Sequence, residues 1–491
     1  MLEMTALLQL PTELLHYIFS LVPPADIQAL RLTCCLLKDV AQDLLLPTLT
    51  TFLHRPGIER LLRVASLSKE IRAGVKTLNF HIDALQECDD WDEWNYRRRI
   101  AFNHSRLHIE SRLKLAAEDS WAGPPLTEEA QQALAEYQTR NLELDHYERL
   151  LPNGDWPPLA GHYAISQRHC EDQKLLIEES YVRTSMAALF RACPNLTALH
   201  FLTRAGSGVK HTARDAYFQQ GLYAPVGLDD NYSSAAVEQT LMAAHDTTRT
   251  IREMRLEEVF YYYLTDAVDG LEPSEELLQA FNKLENLVWK LNDEPASHTL
   301  NFCPETEIYV TRDRIQSLAE GDFLVLMKAA TNLKTLALTW DLPEDWPCHE
   351  LARLGDMVGD IRWSKLRSIE LSHFKSTFEE LTAFFLRHKD TLESVAVRDA
   401  YLEEGELDHV FETLAGKLPR LKEVYLDGDF MALSGRYYTF DYDTGDELDK
   451  YLIEGGVLPQ KPKSILFGGE PDRLSGQYLS NIALLSATQG V

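Results

Sequence analysis

The hexapeptide LKTLAL, residues 333–338, sets the pattern on which the second half of the chain is built. Its first, fourth and sixth positions are apolar: Leu333, Leu336 and Leu338. The alternation in its second half predicts a short β-strand with one buried face.

The same pattern of apolar positions recurs along the chain. The other clear copies are VKTLNF (75–80), LTALHF (196–201), IREMRL (251–256), LENLVW (284–289), LRSIEL (366–371), LESVAV (392–397) and LKEVYL (421–426). A weak terminal copy, PKSILF, lies around Ile465. The recurrence predicts one structural unit used many times.

Helical stretches precede several copies. They are SMAALFRACPN before Leu196, SEELLQAFNK before Leu284, GDFLVLMKAATN before Leu333 and STFEELTAFFLRHKD before Leu392. Ser376 and Glu379 have the spacing of a capping box at the start of the last of these helices. The chain should therefore alternate helix and strand, which predicts an α/β fold.

The last four clear copies are separated by 33, 26 and 29 residues, whereas leucine-rich repeats run about 20–29 residues with one strand each. The Asn or Cys position of the full consensus is missing. The C-terminal region resembles a degenerate, horseshoe-like leucine-rich-repeat solenoid. An ordinary α/β domain with amphipathic strands is the alternative.

The N-terminal stretch LPTELLHYIFSLVPPADIQALRLTCCLLKDVAQDLL, residues 10–45, predicts three short helices. Pro11 suits a first helical turn and Pro23-Pro24 should end the first helix. Asp26 is expected to cap a second helix that carries Cys34 and Cys35 and is apolar nearly all round. The third helix should contain Val40, Ala41, Leu44 and Leu45.

These helices carry more apolar surface than so small a unit can bury. Even a 60-residue domain buries only about 60% of its unfolded surface, and each large side chain left in water forgoes roughly 1.5–3 kcal/mol. The surplus predicts an interface, either with the rest of the chain or with another protein.

This stretch resembles an F-box of the fungal type. The matching residues are Leu10, Pro11, Glu13, Leu14, Leu15, Ile18, Phe19, Asp26, Leu30, Arg31, Leu32 and Cys34. The run CCLLKDVA departs from the family pattern, because the usual large aromatic residue after the Cys is absent. An F-box followed by irregular leucine-rich repeats is a combination known from large fungal families.

The resemblance implies binding to a Skp-family adaptor and, through it, to a cullin scaffold. The adaptor-binding residues that it implies are Leu10, Pro11, Leu14, Ile18, Leu21, Leu30 and Cys34. Leu15 and Phe19 are instead expected in the core of the unit itself.

The chain is expected to divide into an F-box (5–50), a linker with a first repeat-like unit (51–81), a helical insertion (82–177) and the repeat domain (178–491). The insertion should end in a surface loop, because LPNGDWPPLAGHY is rich in turn residues. A second insertion, YYTFDYDTGDELDKYL, is acidic and aromatic and is expected to form a solvated loop.

The composition restricts partners and location. The formal net charge is -28, which argues against nucleic acid and anionic membranes as partners. The seven cysteines form no C-x-x-C pair, as expected of reduced thiols in the cytoplasm or nucleus. The first residues do not resemble a basic secretory leader and no apolar run approaches about 18 residues, so we expect an intracellular, soluble protein.

The sequence offers no catalytic motif. In DYDTGDELD, Gly445 is the fifth residue, whereas a calcium loop requires glycine at the sixth. AGSGV (205–209) is not a nucleophile elbow, and neither a P-loop nor H-E-x-x-H occurs. We therefore expect a non-catalytic protein without metal or cofactor.

The leading hypothesis is a substrate-recognition subunit of an SCF-type cullin ubiquitin ligase. Its rival is a repeat scaffold without ligase function, in which the first three helices only cap the solenoid. The two differ in the apolar face of Leu10, Pro11, Ile18 and Leu21, which should be exposed in a receptor. In a capped scaffold it should pack on Leu53, Ile58 and Leu61, three residues that follow in the sequence.

Overall fold

The computed structural model describes residues 10–22, 24–85, 87–95, 157–203, 217, 220, 230–257, 259, 273–291, 318–319, 321–340, 351–432, 437–440 and 446–458. Within these ranges the chain is a mixed α/β protein with an N-terminal helical unit followed by a large, mostly parallel sheet. The weak copy PKSILF, the stretch AGSGV and most of the 82–177 insertion lie outside the described residues.

The N-terminal helical unit, residues 10–45, contains α1 (Thr12–Ser20), α2 (Pro24–Leu30) and α3 (Cys35–Val40), followed by a 3₁₀ turn at Gln42–Leu44. The prediction of one long second helix was wrong. The Thr33 hydroxyl donates to the Leu30 carbonyl at 2.6 Å, so a side chain satisfies the group at which α2 ends.

Two smaller predictions in this unit were also wrong. Asp26 lies in the first turn of α2 and does not cap it, because the helix already begins at Pro24. Cys34 is extended and precedes α3, whereas Cys35 is its first residue. The two cysteines therefore flank a helix start and do not share the second helix.

The described strands form one sheet in the order β1-β2-β3-β4-β5-β6-β8-β9-β10-β11, with β7 paired to β8. All pairs are parallel except β10 with β11. The strands are β1 (Thr48–Phe52), β2 (Thr77–His81), β3 (Ala198–Leu202), β4 (Glu253–Glu257), β5 (Asn286–Lys290), β6 (Thr335–Thr339), β7 (Ala352–Arg353), β8 (Ser368–Thr377), β9 (Ser394–Glu404), β10 (Glu423–Ala432) and β11 (Tyr437–Phe440).

The sequence copies stand in identical register across this sheet. The fourth position of each copy pairs with the fourth position of the next: Leu78, Leu199, Met254, Leu287, Leu336, Ile369, Val395 and Val424. Strand β1, which the sequence pattern missed, extends this row with Leu49. Stacking in strict sequence order is what a repeated unit produces.

A repeated hydrogen-bond pattern fixes the turns that lead into the strands. The N–H groups of Lys334 and Thr335 both donate to the carbonyl of Glu285, and those of the next turn donate to the carbonyl of Lys334. The same arrangement recurs at every strand from β2 to β6 and from β8 to β10. Each turn is thus fixed on the previous one by main-chain atoms, whose geometry does not depend on the side chain.

Helices cover one face of the sheet and complete its core. They are α4 (Arg55–Ala65), α5 (Lys69–Gly74), α6 (Pro157–Glu178), α7 (Tyr181–Ala192), α8 (Asp230–Asp246), α9 (Glu275–Asn282), α10 (Asp322–Ala329), α11 (Leu354–Val358), α12 (Phe378–Arg387), α13 (Leu407–Leu414) and α14 (Asp446–Glu454). The fully buried Trp289 of β5 contacts Phe323 of α10, with ring centroids 5.1 Å apart.

Three expectations about local structure need correction. The turn-rich residues 157–163 form the first turns of α6, because adjacent prolines are tolerated where a helix begins. The second insertion is partly regular structure, with β11 and α14 inside it. The capping box of α12 is Thr377 with Glu380, since β8 continues through Ser376.

The N-terminal helical unit joins the sheet through close main-chain contacts. The N–H groups of Lys76 and Thr77 donate to the carbonyl of Pro47 at 2.9 and 3.1 Å. Gly74, at the end of α5, approaches the backbone of Asp43 so closely that a Cβ at this position would overlap with the Asp43 carbonyl. The unit is therefore held against α5 and the start of β2.

Candidate functional site

The inward side of α1 belongs to a small hydrophobic core. Leu15 and Phe19, predicted to lie in the interior of the unit, are essentially fully buried. They pack with residues from α2, α3 and the segment that follows α3: Ile27, Leu37, Val40, Ala41 and Leu45. This cluster is separate from the core under the sheet, so the N-terminal helical unit has a hydrophobic interior of its own.

The outward side of α1 leaves large apolar side chains in solvent. Leu14, Tyr17 and Leu21 expose 49%, 63% and 70% of their surface, and Pro11 at the start of the helix is also exposed. Side chains three, four and seven positions apart share one helix face. We call the exposed residues Pro11, Leu14, Tyr17 and Leu21 the α1 stripe.

The seven residues predicted for adaptor binding divide into two groups. Pro11, Leu14 and Leu21 belong to the exposed α1 stripe. The other four are half-buried and pack against the core of the unit: Leu10, Ile18, Leu30 and Cys34. Their part in binding stays a prediction.

Sequence reasoning missed three further exposed apolar residues. Tyr17 lies within the α1 stripe, Leu32 follows α2 with 85% of its surface exposed, and Leu36 lies in the first turn of α3. The helical spacing of Tyr17 from Leu14 and Leu21 was available in the sequence. The positions of Leu32 and Leu36 depended on where α2 ends, which the sequence pattern placed incorrectly.

The residues expected to cover the apolar face in a capped scaffold lie elsewhere. Leu53, Ile58 and Leu61 are buried in the core of the sheet. The members of the α1 stripe remain exposed in the presence of that core. Of the face on which the two hypotheses differ, Pro11 and Leu21 are exposed, whereas Leu10 and Ile18 are half-buried against the core of the helical unit. None of these four residues belongs to the cluster that contains Leu53, Ile58 and Leu61.

A side-chain hydrogen bond ties α1 to the end of the unit. The Nε2 of His16 lies 2.9 Å from an Oδ2 of Asp43 in the 3₁₀ turn. Since Asp43 is also the residue against which Gly74 packs, this pair continues the connection from α1 to α5. It orients the helix that carries the α1 stripe relative to the sheet.

The sheet itself offers a second candidate surface. In each copy the fifth position lies between two core positions and points to the opposite face. These residues are Asn79, His200, Arg255, Val288, Ala337, Glu370, Ala396 and Tyr425, and all except Ala337 are at least partly exposed. Their chemistry varies from strand to strand, so the face is a mosaic of polar, charged and apolar groups.

Within the described part of the chain, no group of three or more His, Cys, Asp or Glu side chains could hold a metal ion. Cys34, Cys35 and Cys193 carry free thiols. Among the same residues, no helix combines the length and apolar character required to cross a bilayer.

Comparison with known families identifies the N-terminal helical unit. Residues 7–48 match the family model of the F-box domain. The match ends at Thr48, the first residue of β1, so it covers the helices and stops where the sheet begins. No curated protein matches the chain.

Proposed function

We propose that the protein is a substrate-recognition subunit of an SCF-type cullin ubiquitin ligase. Its F-box would bind a Skp-family adaptor, and the adaptor would connect it to the cullin. The observation that carries this proposal is the α1 stripe, an apolar surface on an F-box domain whose own core is already filled by other residues. Contiguous exposed apolar residues are typical of protein interfaces.

The proposal assigns target binding to the sheet region, interpreted as a degenerate leucine-rich-repeat solenoid. The sequential parallel order of the strands, the common register of the copies and the recurring turn hydrogen bonds support this interpretation. The variable fifth positions of the strands would then contact the target. This assignment places adaptor and target on different parts of one chain.

In this function the protein positions its target and supplies no catalytic group to the reaction. A bound target is held near ubiquitin carried by another subunit, which raises the effective concentration of the reacting groups. The contacts of Gly74 with Asp43 and of Lys76 and Thr77 with Pro47 favour a fixed geometry between the two binding regions. Such a protein would act in the cytoplasm or nucleus.

The test is copurification of the full chain with a Skp-family adaptor. Leu21→Asp places a charge in the α1 stripe at a position that is 70% exposed, so the domain should fold and adaptor binding should be lost. Val457→Asp makes a similar change at an exposed apolar residue far from the F-box in sequence and should bind normally. If the wild-type chain does not bind the adaptor, the proposal is wrong.

A further inference from the structure

A cavity of about 230 Å³ lies between the segment that follows β2, helix α6 and the start of α8. This volume is below the roughly 300–1,000 Å³ of ordinary small-molecule sites and suits a single side chain of a larger ligand. The lining includes the aromatic residues Trp94, Tyr163 and Tyr232. We call this cavity the α6 pocket.

The aromatic lining is a compact group of rings. Trp94 is fully buried at the base, with its ring centroid 5.4 Å from that of Tyr163 and 5.1 Å from that of Trp91. Trp91 meets Tyr163 edge to face at 5.5 Å. Aromatic rings attract cations at their faces, so the rings of Tyr163 and Tyr232 in the lining favour a positively charged side chain in the pocket.

The charged residues of the lining are two carboxylates and one lysine. Glu87 and Glu171 line the α6 pocket together with one cation, Lys174. The Nζ of Lys174 lies 3.7 Å from an Oε2 of Glu87, so this cation is already associated with one carboxylate. Glu171, on the same helix, is exposed at the pocket and has no ion pair with Lys174.

The adjoining turn adds further negative charge. Asp89 and Asp90 lie in a bend, and Asp92 and Glu93 lie in the helical turn that follows it. Burial raises the pKa of the Tyr163 hydroxyl, and the negative field of Cys88, Asp90 and Glu93 acts in the same direction. The carboxylate of Glu87 likewise raises the pKa of Lys174. The surroundings of the pocket therefore favour cations.

A buried hydroxyl supplies a specific polar contact. Ser166 of α6 lines the pocket and exposes only 4% of its surface. Its hydroxyl is therefore a polar group on the wall of the pocket. A hydroxyl oxygen accepts hydrogen bonds, and an incoming N–H donor would provide one.

We infer that the α6 pocket binds an arginine or lysine side chain of the target polypeptide, held between the aromatic rings, the Glu171 carboxylate and the Ser166 hydroxyl. This inference rests on the proposed function, because it names the chemistry by which the receptor selects its target. The net charge of -28 agrees with this inference. An acidic protein attracts basic partners from a distance.

The first experiment compares two peptides on the full chain. Both are short glycine- and serine-based peptides, with one central arginine in the first and citrulline, its uncharged near-isostere, in the second. Binding is measured by saturation-transfer NMR at low and high salt. The arginine peptide should bind at least about tenfold more tightly, and added salt should weaken its binding because it screens charge. Equal binding of the two peptides would overturn the inference.

Variants then locate the site. Glu171→Gln should weaken binding of the arginine peptide about fivefold, as expected for the loss of one partly exposed charge, whereas Glu59→Gln, an exposed residue of α4, should not change it. Ser166→Leu fills the pocket and should abolish binding. Retained binding by a folded Ser166→Leu variant contradicts the inference. A second result would also contradict it: the arginine peptide binds only after Arg97, Arg98 and Arg99 are replaced by Ala. In that case the protein's own arginines, and not a target, would be the occupant of the pocket.

Each protein is also tested for copurification with the adaptor. If the arginine peptide binds but no form binds the adaptor, the ligase function fails and the pocket assignment stands. If the adaptor binds but the peptides do not distinguish arginine from citrulline, the pocket assignment fails alone.

Discussion

At the scale of single residues, Gly74 decides how closely the F-box can approach the sheet region. It is buried, and the backbone of Asp43 occupies the space that a Cβ would need. Backbone atoms cannot rotate away as a side chain does, so a larger residue forces the two segments apart. Position 74 therefore requires glycine because there is no room for a side chain, and not because of an unusual backbone angle.

Gly74→Ala should therefore destabilise the junction between the F-box and α5 by about 1–3 kcal/mol, the usual cost of overpacking. The matched control is Gly161→Ala in α6, where nothing lies within 4 Å of the new Cβ and alanine is the better helix former by about 1 kcal/mol. Thermal unfolding and hydrogen exchange of residues 42–47 measure both effects. Equal stability of Gly74→Ala and wild type would contradict the contact.

His54 should make stability depend on pH. Burial lowers its pKa from 6.5 to about 4, and its Nδ1 accepts the Gly57 N–H at 3.1 Å at the start of α4. As pH falls from about 6.5 to about 4, the unfolded chain binds a proton that the folded chain does not, so the free energy of unfolding decreases. Above this window the histidine is neutral in both states.

The substitution His54→Asn keeps a capping acceptor and removes the titration. We expect the melting temperature of this variant to fall less than that of the wild type between pH 7 and pH 5, with little difference at higher pH. Other groups titrate alike in both proteins, so the comparison isolates this histidine. A parallel fall in the two proteins would rule out the assigned role.

Sequence patterns identified buried residues better than exposed ones. Leu15 and Phe19 were predicted to be internal and are buried, because a helical period determines which side chains share a face. Tyr17, which carries a hydroxyl, was not among the apolar residues from which the interface was predicted. Exposure depends on what covers a face, and that is a tertiary property which no local pattern contains.

At the scale of elements, strand period was more informative than helix ends. The apolar alternation located β2 to β6 and β8 to β10, and the register matches the sequence copies position by position. Strand β1 was missed because Thr51 stands where other copies have a large apolar residue. Helix ends were misplaced because caps depend on single hydrogen bonds, as at Thr33 and Thr377.

The start of α12 gives a direct test of one cap. The Thr377 hydroxyl accepts the Glu380 N–H and the Glu380 carboxylate accepts the Thr377 N–H, both at 3.1 Å. Thr377→Ala should destabilise the helix start by about 1 kcal/mol, seen as faster hydrogen exchange in the first turn of α12. Ser376→Ala is the control, since its hydroxyl is buried without a hydrogen bond in the described structure. A larger effect at Ser376 than at Thr377 would reverse the assignment.

At the scale of the whole molecule, the chain has two hydrophobic cores that meet at a narrow junction. The F-box core contains Leu15 and Phe19, and the sheet core contains Trp289 and Phe323. Leu46 contacts both. Sequence alone predicted both parts, but it did not predict that the cores are separate, because that follows from how the chain turns between residues 42 and 48.

Two separate cores should unfold separately. Phe19→Ala removes a fully buried ring, which typically costs about 3–5 kcal/mol and exceeds what so small a core can lose. We expect loss of adaptor binding and faster hydrogen exchange in residues 12–45, while exchange in β3 to β6 stays unchanged. Trp289→Ala should do the reverse, loosening β4 to β6 and leaving the F-box protected. If Phe19→Ala lowers protection equally throughout the chain, the two cores form one cooperative unit, and the F-box depends on the sheet for its fold as well as for its orientation.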